Sequence, residues 1–423
     1  MINGANARRL YESFCNGGAE HDGLTGPAGF VKMLHTMVGL TEDIDGRKRV
    51  DVANRKMSPQ SMPLSEIAYA ILGEDAAEQM KQPSGTDYRS LLQEDATNAV
   101  MPSMFNNISA WNVAAAGLLE VMVLEAYQRH SFIGGSLART IPTRLRQQKM
   151  IGHSIIGDVA ENMKPGQRHP RAQFGERYVT TPETQKRGLG IDVTREAVFF
   201  DQTNGGVTQM AESVGAELGL RKERLIIDQF LGVTNGYTYG GTSYNTYQAS
   251  TPWINTQANP LADWQDVDDA LQLFAGMTDQ EKGEPIIINA RDVLVMPANE
   301  MNARYVFSYD KIERSTQSAT EIGHGPNPLR SMGFNLLPSS VLVYNRLTAA
   351  DGGNIAAANA KEYWFLGDFQ GAFAYLENWA VNTARVAAND YTMADQDLIL
   401  SLFVNEMGIP ATVEPRKVVR NTN

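Results

Sequence analysis

The chain is sparing with the residue types that carry most enzyme chemistry. It holds six histidines, His21, His35, His130, His153, His169 and His324, and one cysteine, Cys15. No two histidines stand two, three or four residues apart, so none can pair on one helix or strand face as a zinc site on a single element requires. The nearest approach to a ligand set is His153, Asp158, Glu161 and His169. Two strands or a turn could gather them round a metal, but a surface loop explains the same residues more simply. A second acidic group, Asp263, Asp266, Asp268 and Asp269, sits where a helix begins. Carboxylates are favoured there by capping and by the positive end of the helix dipole. Cys15 reads as a small structural residue rather than a nucleophile.

Sequence signatures of the common active sites are missing too. There is no G-x-x-x-x-G-K-[ST] phosphate cradle, and "GLGIDV" at 188–193 lacks the third glycine and the helix of a dinucleotide fingerprint. There is no G-x-S-x-G elbow, no Cys-x-x-Cys and no His-Glu-x-x-His. Neither catalytic residues nor cofactors are expected. A metal-dependent hydrolase built on His153, Asp158 and His169 is the enzymatic alternative that stays open.

The totals bound the class of protein. A chain of 423 residues implies two or three folding units with cores that need no staples. The balance of 37 basic against 48 acidic side chains, net −11, argues against a protein that wraps nucleic acid with a broad basic face. It leaves open an acidic shell that merely surrounds nucleic acid. One cysteine permits no disulfide within the chain. The start "MINGANARRLYESF" has no apolar signal core. The most apolar run, "VAAAGLLEVMVL" at 113–124, is interrupted by Glu120 and falls short of the roughly 20 residues that span a bilayer. A soluble chain made in the cytoplasm, without membrane contact, is expected.

The positioning elements follow from periodicity. Residues 1–104 read as an extension of short helical pieces that packs on a neighbour, the clearest piece carrying Ile67, Ile71 and Leu72. Trp111, Ala115, Leu118, Leu119, Met122 and Ala126 predict one strong helix over 105–130. Arg139, Arg144, Arg146 and Lys149 follow as a basic run that reads as a solvated face in preference to a nucleic-acid site. Over 171–201 the period changes to two: Phe174, Glu176, Tyr178 and Thr180 share one face, and Leu189, Ile191 and Val193 another. With "TPETQKRG" between them, these predict a long two-stranded hairpin with a charged tip. Such a hairpin is marginal alone and is stabilised by its own body or by another subunit.

Val207, Met210, Ala211, Val214, Leu218, Leu225 and Ile226 then predict a long helix over 206–231, with Thr203 or Asn204 to cap it and Gly232 to end it. The uncharged stretch 233–258 has turn signals at Asn235–Gly236 and Gly240–Gly241. An α/β module is expected over 259–360: a helix opened by Asp263, strands at Ile286–Ile288 and Val293–Met296, a helix from 298 and a strand over 339–345. Strands over 361–387 and a helix over 393–408 close the pattern. The run "KEYWFLGDFQGAFAYLENW" at 361–379 puts seven aromatic side chains into nineteen residues with no reactive group beside them. That is material for a core.

This order of elements resembles the tailed-bacteriophage major capsid protein of the HK97-like fold, an α+β architecture. The residues that carry the resemblance are "YVTTPETQKRGLGIDVTREAVFFDQ", similar to that family's extended E-loop, "EPIIINARDVLVMPANEMNARYVF", similar to its axial domain, and "WFLGDFQGAFAYLENWAVNTARV" with "GIPATVEPRKVV", similar to its closing strands. The likeness covers about 105–420; residues 1–104 match nothing in it. What the resemblance implies is an N-terminal arm (105–170), an E-loop hairpin (171–201), a peripheral domain with the spine helix (202–259 with 361–423) and an axial domain (260–360). It implies a self-assembling subunit of hexamers and pentamers in an icosahedral shell that encloses double-stranded DNA. A portal, and scaffold or decoration proteins, would be further partners. The assembly interface would include Arg171, Phe174, Glu176, Arg177, Tyr178, Glu183, Lys186, Arg187, Leu189, Ile191, Arg195 and Trp379. An encapsulin-like cargo compartment is the nearest alternative of the same fold.

Overall fold

The computed structural model describes residues 4–24, 26–42, 48–51, 53, 55–58, 67, 70–71, 102–129, 133–151, 163, 178–194, 206–234, 236–278, 285–315, 322–387, 396 and 398–422. Its main helices are α1 (Gly4–Cys15), α2 (Gly26–Met37), α3 (Pro102–Arg129), α4 (Gly206–Leu231), α5 (Trp264–Ala275), α6 (Glu300–Ser308) and α7 (Val341–Thr348). The strands are β1 (Leu40–Glu42), β2 (Lys48–Val50), β3 (Arg139–Pro142), β4 (Lys149–Ile151), β5 (Tyr178–Thr180), β6 (Gln185–Thr194), β7 (Tyr237–Tyr239), β8 (Thr242–Tyr244) and β9 (Thr256–Ala258). They continue with β10 (Asp292–Val295), β11 (Lys311–Ser315), β12 (Ile322–Pro326), β13 (Asn335–Leu336), β14 (Trp364–Gly367), β15 (Phe373–Ala387), β16 (Leu398–Thr412) and β17 (Val418–Thr422). The class is α+β.

Two compact units divide the chain, and neither is continuous in sequence. The first takes residues 1–131, 186–221 and 379–406; the second takes 132–185, 222–378 and 407–423.

In the first unit every residue of α3 from Ala114 to Leu124 is buried. A helix with no solvated side must be covered all round. Phe30, Val31 and Leu34 of α2 cover it, with Tyr11 and Phe14 of α1 packed against Phe30 behind them, as do Val207, Ala211 and Leu218 of α4, and Ile191, Val193, Leu400, Leu402 and Val404 of β6 and β16. Two glycines allow the close approach. A Cβ on Gly215 would lie 2.2 Å from the Val123 carbonyl oxygen, and one on Gly117 would lie 2.0 Å from the His35 ring. The described part of the segment expected to be an extension is therefore part of this core, packed within its own chain.

The second unit is built on a five-stranded sheet of order β13-β10-β14-β17-β9. All four residues of β14 are buried, so this strand is covered on both faces. Trp364 and Leu366 join Val293, Val295, Val419 and residues of α5 and α6 on one face. Phe365 joins Leu294, Met296, Val418, α7 and the last turns of α4 on the other. Phe230 is the hub there, with ring centroids of Phe365, Phe369 and Phe373 at 4.8, 5.0 and 5.3 Å. Gly232, at φ +74°, ends α4 where a Cβ would stand 2.9 Å from the Tyr247 ring, and the Tyr247 hydroxyl donates to the Phe230 carbonyl at 2.7 Å. The aromatic run is core from Tyr363 to Tyr375, as its density suggests, and only its last member, Trp379, is exposed. The long helix, the helices opened by Asp263 and Glu300, and a β7–β8 hairpin turning on Gly240 and Gly241, both at positive φ, are present.

Four expectations are corrected. In the stretch 339–345, residues 341–345 begin helix α7, with Val343 and Leu347 buried one turn apart. Within 393–408, residues 398–408 belong to strand β16 instead of a helix. Leu398 and Leu402 fit both periods, but buried Leu400, Leu402, Val404 and Glu406 alternate strictly. Ile286–Ile288 is extended chain outside any ladder, with Ile286 buried and Ile287 exposed. Finally, β5 and β6 do not form a hairpin: β5 lies between β4 and β7, while β6 pairs with β16 in the sheet β3-β15-β16-β6. The link 181–184 bonds to other chain instead of turning back, through Thr181 to Gln148 and Thr184 to Arg146.

Gly215→Ala drives a methyl into the Val123 carbonyl and is expected to destabilise the isolated subunit by about 1–3 kcal/mol. Ser213→Ala, on the exposed side of α4, is expected to stay within about 0.5 kcal/mol. Denaturant unfolding of the two variants checks the difference.

Candidate assembly interface

Strand β6 is the end strand of its sheet, and its side chains divide by parity. Ile191 and Val193 are buried, whereas Lys186, Gly188, Gly190 and Asp192 face outward and are exposed. The inward face is anchored by a buried carboxylate. Glu406 of β16, 2% exposed, accepts from the Tyr127 hydroxyl of α3 at 2.7 Å and stands 3.5 Å from the Arg187 guanidinium. A second buried carboxylate, Glu120 of α3, accepts from the Thr383 hydroxyl of β15. Burying an anion is costly unless partners surround it, so each of these fixes a strand against α3. On the outward face, Ser401 donates to Asp192 at 2.6 Å.

The outward face carries apolar area. Phe403 is 45% exposed and Trp379 42%; Leu189, which shares the parity of Ile191, is also 40% exposed. Trp379 Nε1 donates to Asn405 Oδ1 at 3.2 Å, which holds the indole on the outer side of β16. The two outward glycines of β6 leave room for this. A Cβ on Gly190 would lie 3.1 Å from the Phe403 ring, and one on Gly188 would lie 2.8 Å from the Val404 carbonyl.

The expected interface residues thus separate. Leu189, Lys186 and Trp379 are exposed on the first unit; Ile191 lies in that unit's own core and Arg187 is turned to Glu406. Tyr178, 41% exposed, and Glu183, which pairs with Arg146 at 3.1 Å, lie on the second unit. Arg171, Phe174, Glu176, Arg177 and Arg195 lie outside the described residues. The sequence groups Phe403 with Leu398 and Leu402 on one side of the expected helix; a period-two reading of 398–406 separates it from them and turns it outward.

His153, Asp158, Glu161 and His169 also lie outside the described residues. Among the described residues no group of three or more His, Cys, Asp or Glu could hold a metal ion, and no helix is long and apolar enough to cross a membrane. The acidic group at 263–269 is a helix start: Asp263 and Asp266 form a capping box on α5.

An α+β chain whose polar chemistry is used to fasten strands to helices, and whose outer sheet face and end strand are left open among the described residues, has the features of a subunit that associates. A family model described as phage capsid protein matches residues 177–421, more than half of the sequence. The chain belongs to that family, and its role is that of a structural capsid protein. No curated protein matches it. Solved structures similar to it include a capsid of a native GTA particle (14% identity, TM-score 0.42, covering 69% of this chain and 90% of that one). Others are that of Mycobacterium phage Ogopogo (14%, 0.38, 69% and 92%) and the capsid of cyanophage P-SCSP1u (14%, 0.39, 67% and 85%).

Glu406→Ala removes the buried carboxylate that the Tyr127 hydroxyl and the Arg187 guanidinium face and is expected to cost the subunit about 3–5 kcal/mol, the range for breaking a buried pair. Trp379→Ala is expected to leave stability within about 1 kcal/mol, as for a surface change. Unfolding midpoints of unassembled subunits measure both.

Proposed function

We propose that the chain is the shell subunit of an icosahedral virion head, assembled in the host cytoplasm into hexamers and pentamers that enclose double-stranded DNA. The role is structural and not catalytic. In this reading 171–201 is the E-loop segment and lies over a neighbouring subunit. Residues 202–259 with 361–423 form the peripheral domain, 260–360 form the axial domain, and 105–170 form the arm. A portal and scaffold or decoration proteins would complete the particle.

The observation that carries the reading is the open edge and face of the β15-β16-β6 part of the sheet. Among the described residues no strand pairs with β6 on its far side, and Trp379, Phe403 and Leu189 stand in solvent beside it. An unpaired strand edge offers ready hydrogen bonds to another chain. Aromatic area with a polar tip is the usual material of protein interfaces. Many weak copies of one contact add up in a closed symmetric shell. The net charge of −11 suits an inner wall that does not hold DNA tightly.

A second proposal concerns the N-terminal segment. Its apolar side chains are consumed by α3, and Arg55 bonds Glu125 of that helix at 2.8 Å. Removing it would expose the buried helix, so residues 4–71 are kept in the mature subunit.

Expressed alone or with its scaffold, the chain is expected to give hollow particles by negative-stain imaging, and virions are expected to hold nuclease-protected DNA inside the shell. Particles filled with an enzyme would favour a cargo compartment. A monomer that stays inert at high concentration would refute the shell reading.

A further inference from the structure

We infer that the exposed Arg144-Leu145-Arg146 loop of the second unit is a preformed knob that inserts into an acidic surface of a second copy of this chain. The inference rests on the shell reading and adds a contact to it.

The loop is held unusually firmly for one that exposes its side chains. The Thr143 amide donates to the Glu377 carbonyl at 2.8 Å, and Asn378 Nδ2 donates to the carbonyls of Thr143 and Leu145 at 3.2 and 3.1 Å. The Leu145 amide donates to the Thr143 hydroxyl oxygen at 3.2 Å. On the far side the Thr184 amide and hydroxyl both donate to the Arg146 carbonyl, at 2.8 and 3.2 Å. The Gln148 amide donates to the Thr181 hydroxyl oxygen at 3.0 Å, and the Thr181 amide and hydroxyl donate back to the Gln148 carbonyl, each at 3.0 Å. The anchors are buried, Thr181 at 1% and Thr184 at 3% exposed. What they hold up is not: Leu145 is 58% exposed, and Arg146 has 76% of its side chain in solvent.

Exposed loops normally keep their backbone freedom, because ordering a residue costs conformational entropy. Here that cost is met by buried bonds before any partner arrives, which is the condition for tight docking. The side chains suit a protein partner. Two guanidiniums flank an aliphatic group, and arginine is enriched at protein interfaces, where its flat fork grips carboxylates. The chain itself carries an excess of acidic groups, 48 against 37, so another copy supplies the complementary charge. Among the described residues Arg146 pairs with Glu183, itself 58% exposed. A pair so exposed is weak, so Arg146 is free to exchange it for a carboxylate across an interface. A nucleic-acid backbone would engage the two arginines as well, but it gives Leu145 nothing to pack on.

The test places a photo-crosslinking phenylalanine analogue at Leu145 and irradiates assembled particles. Covalent dimers of the chain in particles, and not in unassembled subunits, are expected. Particles that form but yield no chain dimer, or that yield crosslinks to nucleic acid, would overturn the inference and leave the shell reading standing. If the unmodified chain forms no particles, the shell reading falls first and the knob with it. In parallel, the double variant Arg144→Glu, Arg146→Glu is expected to lower particle yield at least tenfold with an unchanged unfolding midpoint. Unchanged yield contradicts the inference, and should this variant fail to fold, the crosslink decides alone.

Discussion

The burial of α3 on every side is the constraint from which the first unit follows. Residues 114–124 have no solvated face, so the helix cannot exist as drawn without three separate covers. The chain supplies them from its beginning, its middle and its end: α2 backed by α1, then β6 and α4, then β16. This explains why the unit is discontinuous. It also explains the two buried carboxylates. Glu120 and Glu406 would be ruinous in an unspecific apolar core; paired with Thr383, Tyr127 and Arg187, they fix which strand lies where along the helix.

The second unit solves the same problem with a sheet. Strand β14 is buried on both faces, which separates two cores and uses the aromatic run on both. Each unit therefore satisfies its inner surfaces by itself, and the chemistry that looked missing from the sequence is spent on this. What is left over is on the outside: an end strand, a face with Trp379 and Phe403, and a pinned basic loop. Such a division between complete interiors and unfinished exteriors is what a shell subunit needs. It must fold before it assembles, and then join many times through modest contacts.

Helices were the most legible part of the sequence. The long helix over 206–231 is visible in its apolar stripe and its closing Gly232, and α5 in Asp263 and Asp266, because caps and stripes are local signals. Strands were harder, because their partners are distant. Leu398 and Leu402 lie four apart, a spacing common to a helix face and a strand face, and only Leu400 separates the two. The segment 178–194 has the alternation of strands, yet alternation does not name a partner, and its two strands pair with β4, β7 and β16 instead of each other. Among the candidate interface residues, Leu189 and Trp379 were legible as apolar residues in strands. That Ile191 would turn inward and Phe403 outward depends on the sheet's two faces, which no single strand reveals. The N-terminal segment looked like an extension because its helices are short; their stability comes from α3, which is more than thirty residues away.

That last point is where the account is most exposed. If the packing on α3 is what makes the first unit, residues 4–71 cannot be discarded when the shell matures. Intact-mass spectrometry of subunits from mature particles measures this directly. The account predicts a chain that still contains residues 4–71. A mature subunit whose N-terminus falls beyond residue 71, in particles of normal stability, would contradict it.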